Sequence, residues 1–197
     1  MTQTRQKLTA PERRQAVLET ACRIFSEGSY RGTTTAEIAR AVGCSEPILY
    51  RHFESKRDLY LACLAHAWAE TRATWEAGIG AEPDPRLWMS VMAQRVVASR
   101  KALLADLWIQ ALTEANDEPE IRVAVARQLR EVHDYIAGVI RRSQAAGGIN
   151  RDRDPDAEAW LSLSMGLLNT IGHRLGGLLS QEDMGRVRAS RVAWMSP

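Results

Sequence analysis

The sequence predicts an all-α chain, with a small N-terminal three-helix unit continued by a long helix into a larger helical bundle. Three observations predict it. Apolar residues recur at helical spacing along most of the 197 residues. Glycine, proline and asparagine punctuate the chain where those stretches end. No stretch shows sustained two-residue alternation with β-branched enrichment, so no sheet is expected.

From Pro11, the stripe Val17, Ala21, Ile24 and Phe25 has the i, i+4, i+7, i+8 spacing of an amphipathic helix, and Gly28 stops it. Thr34-Thr35-Ala36-Glu37 has the form of a capping box, in which the Thr34 hydroxyl and the Glu37 carboxylate satisfy orphan amides at a helix start. That helix turns Ile38, Ala39 and Val42 inward and ends at Gly43, where a left-handed residue is easiest for glycine. Ser45 is a second N-cap, and Pro47 in the first turn forfeits no helical hydrogen bond; a short helix over 46–52 follows. Ser55 caps a longer helix with Leu59, Cys63 and Ala67 inward and Leu64 alongside. Gly78, Gly80, Pro83 and Pro85 mark a break. Beyond it, helical segments are expected over about 86–98, 101–115, 119–145, 155–179 and 181–194, separated by Asn116-Asp117, Gly147-Gly148 and Ser180.

Composition narrows the class. With 45% hydrophobic and 25% charged residues, collagen-like and disordered chains are excluded. The longest apolar stretch, Trp160 to Gly172, falls short of the roughly 18 residues a membrane helix needs. The N-terminal residues lack an apolar stretch before a cleavage site, so no secretory signal and a cytoplasmic location are expected. Cys22, Cys44 and Cys63 have no CxxC spacing and are expected as reduced thiols. His52, His66, His133 and His173 form no HxxxH or HExxH pair, so neither a metal site nor a cofactor is expected. Cys44 and His52 are close in sequence, but no nucleophile–base arrangement supports an enzyme.

The net charge of +2 hides an uneven distribution. Residues 1–60 hold ten Lys and Arg against seven Asp and Glu, a net of +3, which leaves −1 for the rest. Both Phe and three of four Tyr lie in the first 60 residues, whereas all six Trp come at or after Trp68. Either the two regions answer different demands, or small counts happen to fall unevenly.

The segment 33–56 carries the chemistry. Two short helices joined by Ala41-Val42-Gly43-Cys44, with glycine in the turn, form a helix-turn-helix arrangement. In the second helix Leu49 and Phe53 are spaced i, i+4 and anchor it, leaving Glu46, Pro47, Ile48, Tyr50 and Arg51 on other faces. A helix of this width fits the DNA major groove. The residues alone also allow a plain αα-hairpin, with Tyr50 and His52 covering a small core.

At these residues the sequence resembles the TetR (tetracycline-repressor) family of bacterial transcriptional regulators. The match runs through Ile24 to Tyr30, Thr33 to Ala39, Val42 to Ser45 and Leu49 to Leu59, in order and at the family's spacing, over about the first third of the chain. The resemblance implies a three-helix helix-turn-helix DNA-binding domain over 1–55 and a larger helical ligand-binding and dimerisation bundle over 56–197. Tyr50 and Lys56 look like the family's phosphate-contacting residues, and Thr33, Thr34 and Thr35 are similarly placed near a helix N-terminus. Ser45, Glu46, Pro47 and Ile48 match the base-facing start of the recognition helix, with Arg51 and His52 following. Glu46 can accept from cytosine N4, and Pro47 or Ile48 can touch a thymine methyl. Pro47 stands where the family often has Gly, and Ile48 where it often has Thr, which leaves the operator sequence open. The basic arm Arg5, Lys7, Arg13 and Arg14 either adds backbone or minor-groove contacts or is a solvated tail.

For the C-terminal bundle, Trp68, Trp75, Trp88, Met89, Met92, Trp108, His133, Trp160 and Met165 suit a mostly apolar ligand pocket, though most helical Trp and Met are plain core. In 155–179, large apolar residues interleave with Gly166, Gly172, Gly176 and Gly177. The resemblance implies that the last two helices, about 155–194, form a homodimer interface. It further implies a repressor released from a double-stranded DNA operator by a small effector. Helix-turn-helix readers span two half-sites as dimers.

Overall fold

The computed structural model describes residues 9–98 and 103–197. Among them are nine helices and no strand. They are α1 (Ala10–Glu27), α2 (Thr35–Val42), α3 (Glu46–Tyr50), α4 (Lys56–Ala81), α5 (Trp88–Ala98), α6 (Leu103–Glu114), α7 (Pro119–Ala145), α8 (Pro155–Arg174) and α9 (Gln181–Met195). No helix among the described residues is long and apolar enough to cross a membrane. The chain divides into two compact units, Met1–Ala67 with Asp106–Val125, and Trp68–Ala105 with Ala126–Pro197.

In the first unit, α1 starts one turn-defining residue before Pro11. Thr9 and Glu12 form a capping box, the Thr9 amide donating to Glu12 Oε2 at 2.8 Å and the Glu12 amide to Thr9 Oγ1 at 3.4 Å. Its apolar stripe buries Val17, Leu18, Ala21, Cys22 and Phe25. The helix ends at Gly28, which is not left-handed; a side chain there would meet the Ile24 carbonyl oxygen at 3.1 Å and Thr33 Oγ1 at 3.3 Å, so close approach explains the glycine. Thr34 caps α2 with Glu37 in the reciprocal arrangement the sequence predicts, and Gly43 closes it in the left-handed conformation at φ 79°.

The core of this unit is an aromatic cluster. The Tyr60 ring meets Phe25 edge-on at 5.0 Å and Tyr30 at 5.1 Å. Tyr60 donates its hydroxyl proton to the Leu107 carbonyl at 2.8 Å, which joins α6 to the N-terminal helices. Two guanidinium groups hold the corner between α6 and α7 from outside. Arg31 reaches Glu114 at 2.9 Å and also Asp117, and Arg57 reaches Glu120 at 2.8 Å and Glu118 at 3.7 Å.

The second unit packs the C-terminal part of α4, α5, most of α7, α8 and α9. Trp68, Trp75 and Tyr135 form a trio with ring centroids 5.7–5.8 Å apart, and the Trp75 indole donates to the Met92 carbonyl at 3.2 Å. Asp154 caps α8, and Ser180 with Asp183 forms a third capping box at α9. The Glu158 carboxylate, only 4% exposed, accepts from Arg191 and from the Trp194 indole at 2.8 Å.

Two sequence expectations need correction. The segment expected to be helical over 155–179 ends at Arg174, because Gly176 and Gly177 adopt φ of 73° and 94°, and the amides of Gly177 and Leu178 fold back onto the Gly172 carbonyl. The short helix expected over 46–52 ends at Tyr50. Arg51 and His52 form a turn, in which the His52 and Phe53 amides both return to the Leu49 carbonyl.

Candidate nucleic-acid interface

The helix-turn-helix is built from α2, the Gly43 turn and α3. On α2, Ile38 and Ala39 are buried; on α3 only Leu49 is, and Phe53 follows it into the core. That anchoring is the i, i+4 pairing the sequence predicts. It leaves Pro47 and Tyr50 exposed and Glu46 and Ile48 half-buried on the other faces of α3. Ser45 occupies the N-cap position with extended backbone, but its side chain makes no cap hydrogen bond. Its hydroxyl is thus not committed to the helix end.

The three threonines part company. Thr34 is exposed and spends its hydroxyl on the capping box. Thr33 and Thr35 are buried, at 4% and 7% exposure. Thr35 donates to the Glu46 carboxylate and lies 3.1 Å from the Tyr50 phenol oxygen. Lys56 sits in the first turn of α4, its ammonium 4.6 Å from the centre of the Tyr30 ring and donating to the Arg31 carbonyl at 3.4 Å. Burial pushes its amine below the ordinary lysine range, against the pull of Glu114 and Glu37. Arg51 is exposed and His52 half-buried. Of the basic arm, Arg5 and Lys7 lie outside the described residues. Arg14 packs over the Phe53 ring at 4.7 Å, so it also closes the core beneath α3.

The residues singled out for a pocket do not converge on one place. Trp108 is buried in the first unit, and the others belong to the second. There, Trp68, Trp75 and Met92 share one neighbourhood. His133 is buried and stacks on Trp160 at 4.3 Å; its Nδ1 meets Asp134 at 2.8 Å and its Nε2 the Asp156 carbonyl at 3.1 Å. Tyr135, which completes the Trp trio, is two residues from His133 on α7, so the two groups do not share a face. Trp88 is half-buried and donates to the Glu82 carbonyl at 3.0 Å; Met89 and Met165 are half-buried. An open cleft in this unit is lined by Gly78, Ala81, Glu82, Val91, Gln94 and Arg95, none of them anticipated. Its signal was faint, since Gly78 reads as a break but sits inside α4, where a side chain would strike Val91 and Arg95 at 2.7–2.8 Å.

Comparison with known proteins finds its likeness in the helix-turn-helix segment. The profile described as bacterial regulatory proteins, tetR family, matches residues 17–63, which contain α2, the turn and α3. Over these residues, about a quarter of its length, the chain is similar to the TetR family. It is 33% identical to the Escherichia coli tetracycline repressor protein class C over 92 residues, 47% of this chain and 40% of that one. Across three of its curated relatives the chain spans 26%, 40% and 62% of the relative's own length. The structure of a TetR-family regulator from Rhodococcus sp. superposes with a TM-score of 0.81 at 22% identity, covering 94% of this chain and all of that one. A putative transcriptional regulator from Saccharomonospora viridis, solved in complex with choline, superposes with a TM-score of 0.70 at 27% identity, covering 82% and 85%. The matched relatives carry the names of transcriptional regulators, an activator and a repressor among them.

Proposed function

We propose that this chain is a cytoplasmic, sequence-specific DNA-binding regulator, a homodimeric repressor released from its operator by a small, largely apolar ligand. The observation that carries the reading is the presentation of α3. A five-residue helix is anchored by Leu49, with Phe53 following it into the core and Thr35 of α2 bonding Glu46 and Tyr50, while Pro47 and Tyr50 stay exposed and Glu46 and Ile48 half-buried. Such a helix has too few internal hydrogen bonds to justify itself and is fixed by tertiary packing for what it displays. Residues 1–55 read DNA, and 56–197 sense and dimerise. Tyr50 and Lys56 position the backbone, whereas Ser45 to Ile48 face the bases.

Ligand sensing falls to the aromatic groups of the second unit, Trp68 with Met92, and Trp160 with His133, and to Trp88 and Met165 beside them. The choline complex of the Saccharomonospora relative supports a small effector in a protein of this architecture. α4 supplies residues to both compact units, so a ligand that prefers one of its settings opposes DNA by reciprocal linkage, typically about 1–3 kcal/mol. The dimer forms through α8 and α9. Trp160, Leu161, Leu168, Ile171, Val187, Val192 and Trp194 are all exposed there, apolar side chains that a second copy would cover.

The test is selection of bound fragments from genomic DNA, followed by substitution of Tyr50→Phe together with Lys56→Ala. The pair is expected to weaken binding to every sequence and to shallow the salt dependence by about one counterion, from Lys56. Unchanged affinity would instead favour a ligand- or partner-binding bundle without DNA recognition.

A further inference from the structure

Three polar groups on α2 and α3 form a chain with a fixed direction. Thr35 is buried, and its hydroxyl lies against both the Glu46 carboxylate and the Tyr50 phenol. A carboxylate only accepts, so Thr35 gives its single hydroxyl proton to Glu46 Oε1. Thr35 Oγ1 then offers Tyr50 only lone pairs, and across the 3.1 Å contact the phenol is the donor. The chain therefore runs from Tyr50 through Thr35 to Glu46, with the phenol proton turned inward. A phosphate oxygen also only accepts, so in this setting Tyr50 presents a phosphate with lone pairs.

We propose that Thr35 is a specificity-determining residue that couples base reading by Glu46 to the backbone contact made by Tyr50. The inference rests on the DNA-binding reading above. On a sequence that gives Glu46 no donor, its carboxylate stays on Thr35, and Tyr50 must give up its inward bond to reach a phosphate. A base-edge amine, such as the exocyclic amine of cytosine, draws the carboxylate toward the groove. Thr35 then turns its proton onto the Tyr50 oxygen, and the phenol proton is released outward to the phosphate. Every proton stays on its own oxygen; only the O–H rotors turn. A backbone contact that carries no sequence information by itself becomes conditional on a base.

The test measures binding of the full chain to two labelled duplexes of equal length. One is selected by the wild-type protein from a random library, and the other is a mixed-sequence duplex from the unselected pool. Circular dichroism melting follows the fold of each variant. Thr35→Val is expected to tighten binding to the mixed duplex about fivefold, the worth of one released hydrogen bond, and to lower the selected-to-mixed ratio by the same factor. Thr35→Ser keeps both groups and restores the wild-type ratio. The gain disappears in Thr35→Val/Tyr50→Phe. Glu46→Ala removes the acceptor of the Thr35 proton and supplies an arm that leaves the core intact. Its gain on the mixed duplex is also lost when combined with Tyr50→Phe, whereas plain charge removal would survive that change. A ratio within twofold of wild type in Thr35→Val, or a Glu46→Ala gain independent of Tyr50, overturns the coupling while the DNA reading stands. Wild-type protein that retains no duplex at all overturns both.

Discussion

Tyr60 on α4 donates its proton to the Leu107 carbonyl on α6 at 2.8 Å, across 47 positions of sequence, with the tyrosine fully buried. This bond makes residues 106–125 part of the same compact unit as the N-terminal helices. Tyr60→Phe keeps the ring contacts with Phe25 and Tyr30 and removes only the donor. A loss of about 1 kcal/mol is expected, or roughly 2–4 °C in melting temperature for a chain of this size. Burial also pushes the Tyr60 phenol above the ordinary tyrosine range. The neutral form is the one the fold holds, so its stabilisation is complete below about pH 10 and is lost as pH rises beyond that. Alkaline denaturation should therefore begin at higher pH in Tyr60→Phe than in a variant of equal neutral stability that retains Tyr60.

The Glu158 carboxylate is buried between α8 and α9 with Arg191 and the Trp194 indole as its donors. Removing one partner of such a pair leaves an uncompensated charge, which costs more than the pair contributes. Arg191→Ala is expected to destabilise the chain by about 3–5 kcal/mol. Glu158→Gln, which removes the charge and keeps an acceptor for the indole, should cost clearly less. Urea denaturation of the two variants checks the order, and a milder Arg191→Ala would remove the clamp role.

Three helix starts share one device. Glu12, Glu37 and Asp183 are each held below the ordinary carboxylate range, chiefly by hydrogen bonds from Thr9, Thr34 and Ser180. In each case the ionised form is the one the fold holds. The stabilisation is present above about pH 4 and is lost as pH falls through the lowered value. The protection of amides in the first turns of α1, α2 and α9, taken relative to their intrinsic exchange rate, should fall below that pH. Glu37→Gln should remove the acid dependence of protection at the α2 start while the other two retain theirs.

What the sequence could show, and what it could not, follows from the range of the interactions. The Thr34–Glu37 box, the left-handed Gly43 and the i, i+4 anchor of Leu49 and Phe53 are local, and all were legible. The Thr9–Glu12 box carries the same signal, masked because Pro11 alone already marks a first turn. The early end of α8 turns on Gly176 and Gly177 taking positive φ, which glycine permits but does not require. The Tyr60–Leu107 bond, the Arg31 and Arg57 pairs and the placement of Trp108 join distant segments, and no spacing rule reaches that far. The direction of the Thr35 hydroxyl was equally invisible, since a capping-box neighbour reads the same whether buried or exposed.

Thiol chemistry should separate the three cysteines. Cys22 and Cys63 are buried in the first unit, where Cys22 Sγ points at the Cys63 carbonyl oxygen and Cys63 Sγ at that of Leu18. Burial, then the neighbouring Cys22, holds the Cys63 thiol well above the ordinary range. Cys44, in the helix-turn-helix turn, is only half-buried, and burial raises it more modestly. A thiol reagent on the native protein should label Cys44 first, with Cys22 and Cys63 reacting at the rate of unfolding. Equal rates for all three would mean that the first unit opens far more readily than its packing implies.

The last prediction concerns the face of α8. Leu161, Leu168 and Ile171 are 50%, 47% and 41% exposed, at i, i+7 and i+10, which places them on one stripe, and Leu175 just past the helix end is 65% exposed. Leu163 of the same helix is buried, so α8 is already packed within its protomer and this stripe is a second apolar face. Glutamate at Leu168 adds a charge to that face without touching the protomer core. If the stripe is the dimer interface, Leu168→Glu sediments as a monomer, with a melting temperature that no longer rises with protein concentration as a dimer's does. DNA binding then falls steeply on a two-half-site operator and only slightly on an isolated half-site, because the loss is of bivalency and not of base contacts. A variant that stays dimeric and cooperative places the interface elsewhere, whereas one that unfolds at all concentrations means the stripe is needed by the protomer itself.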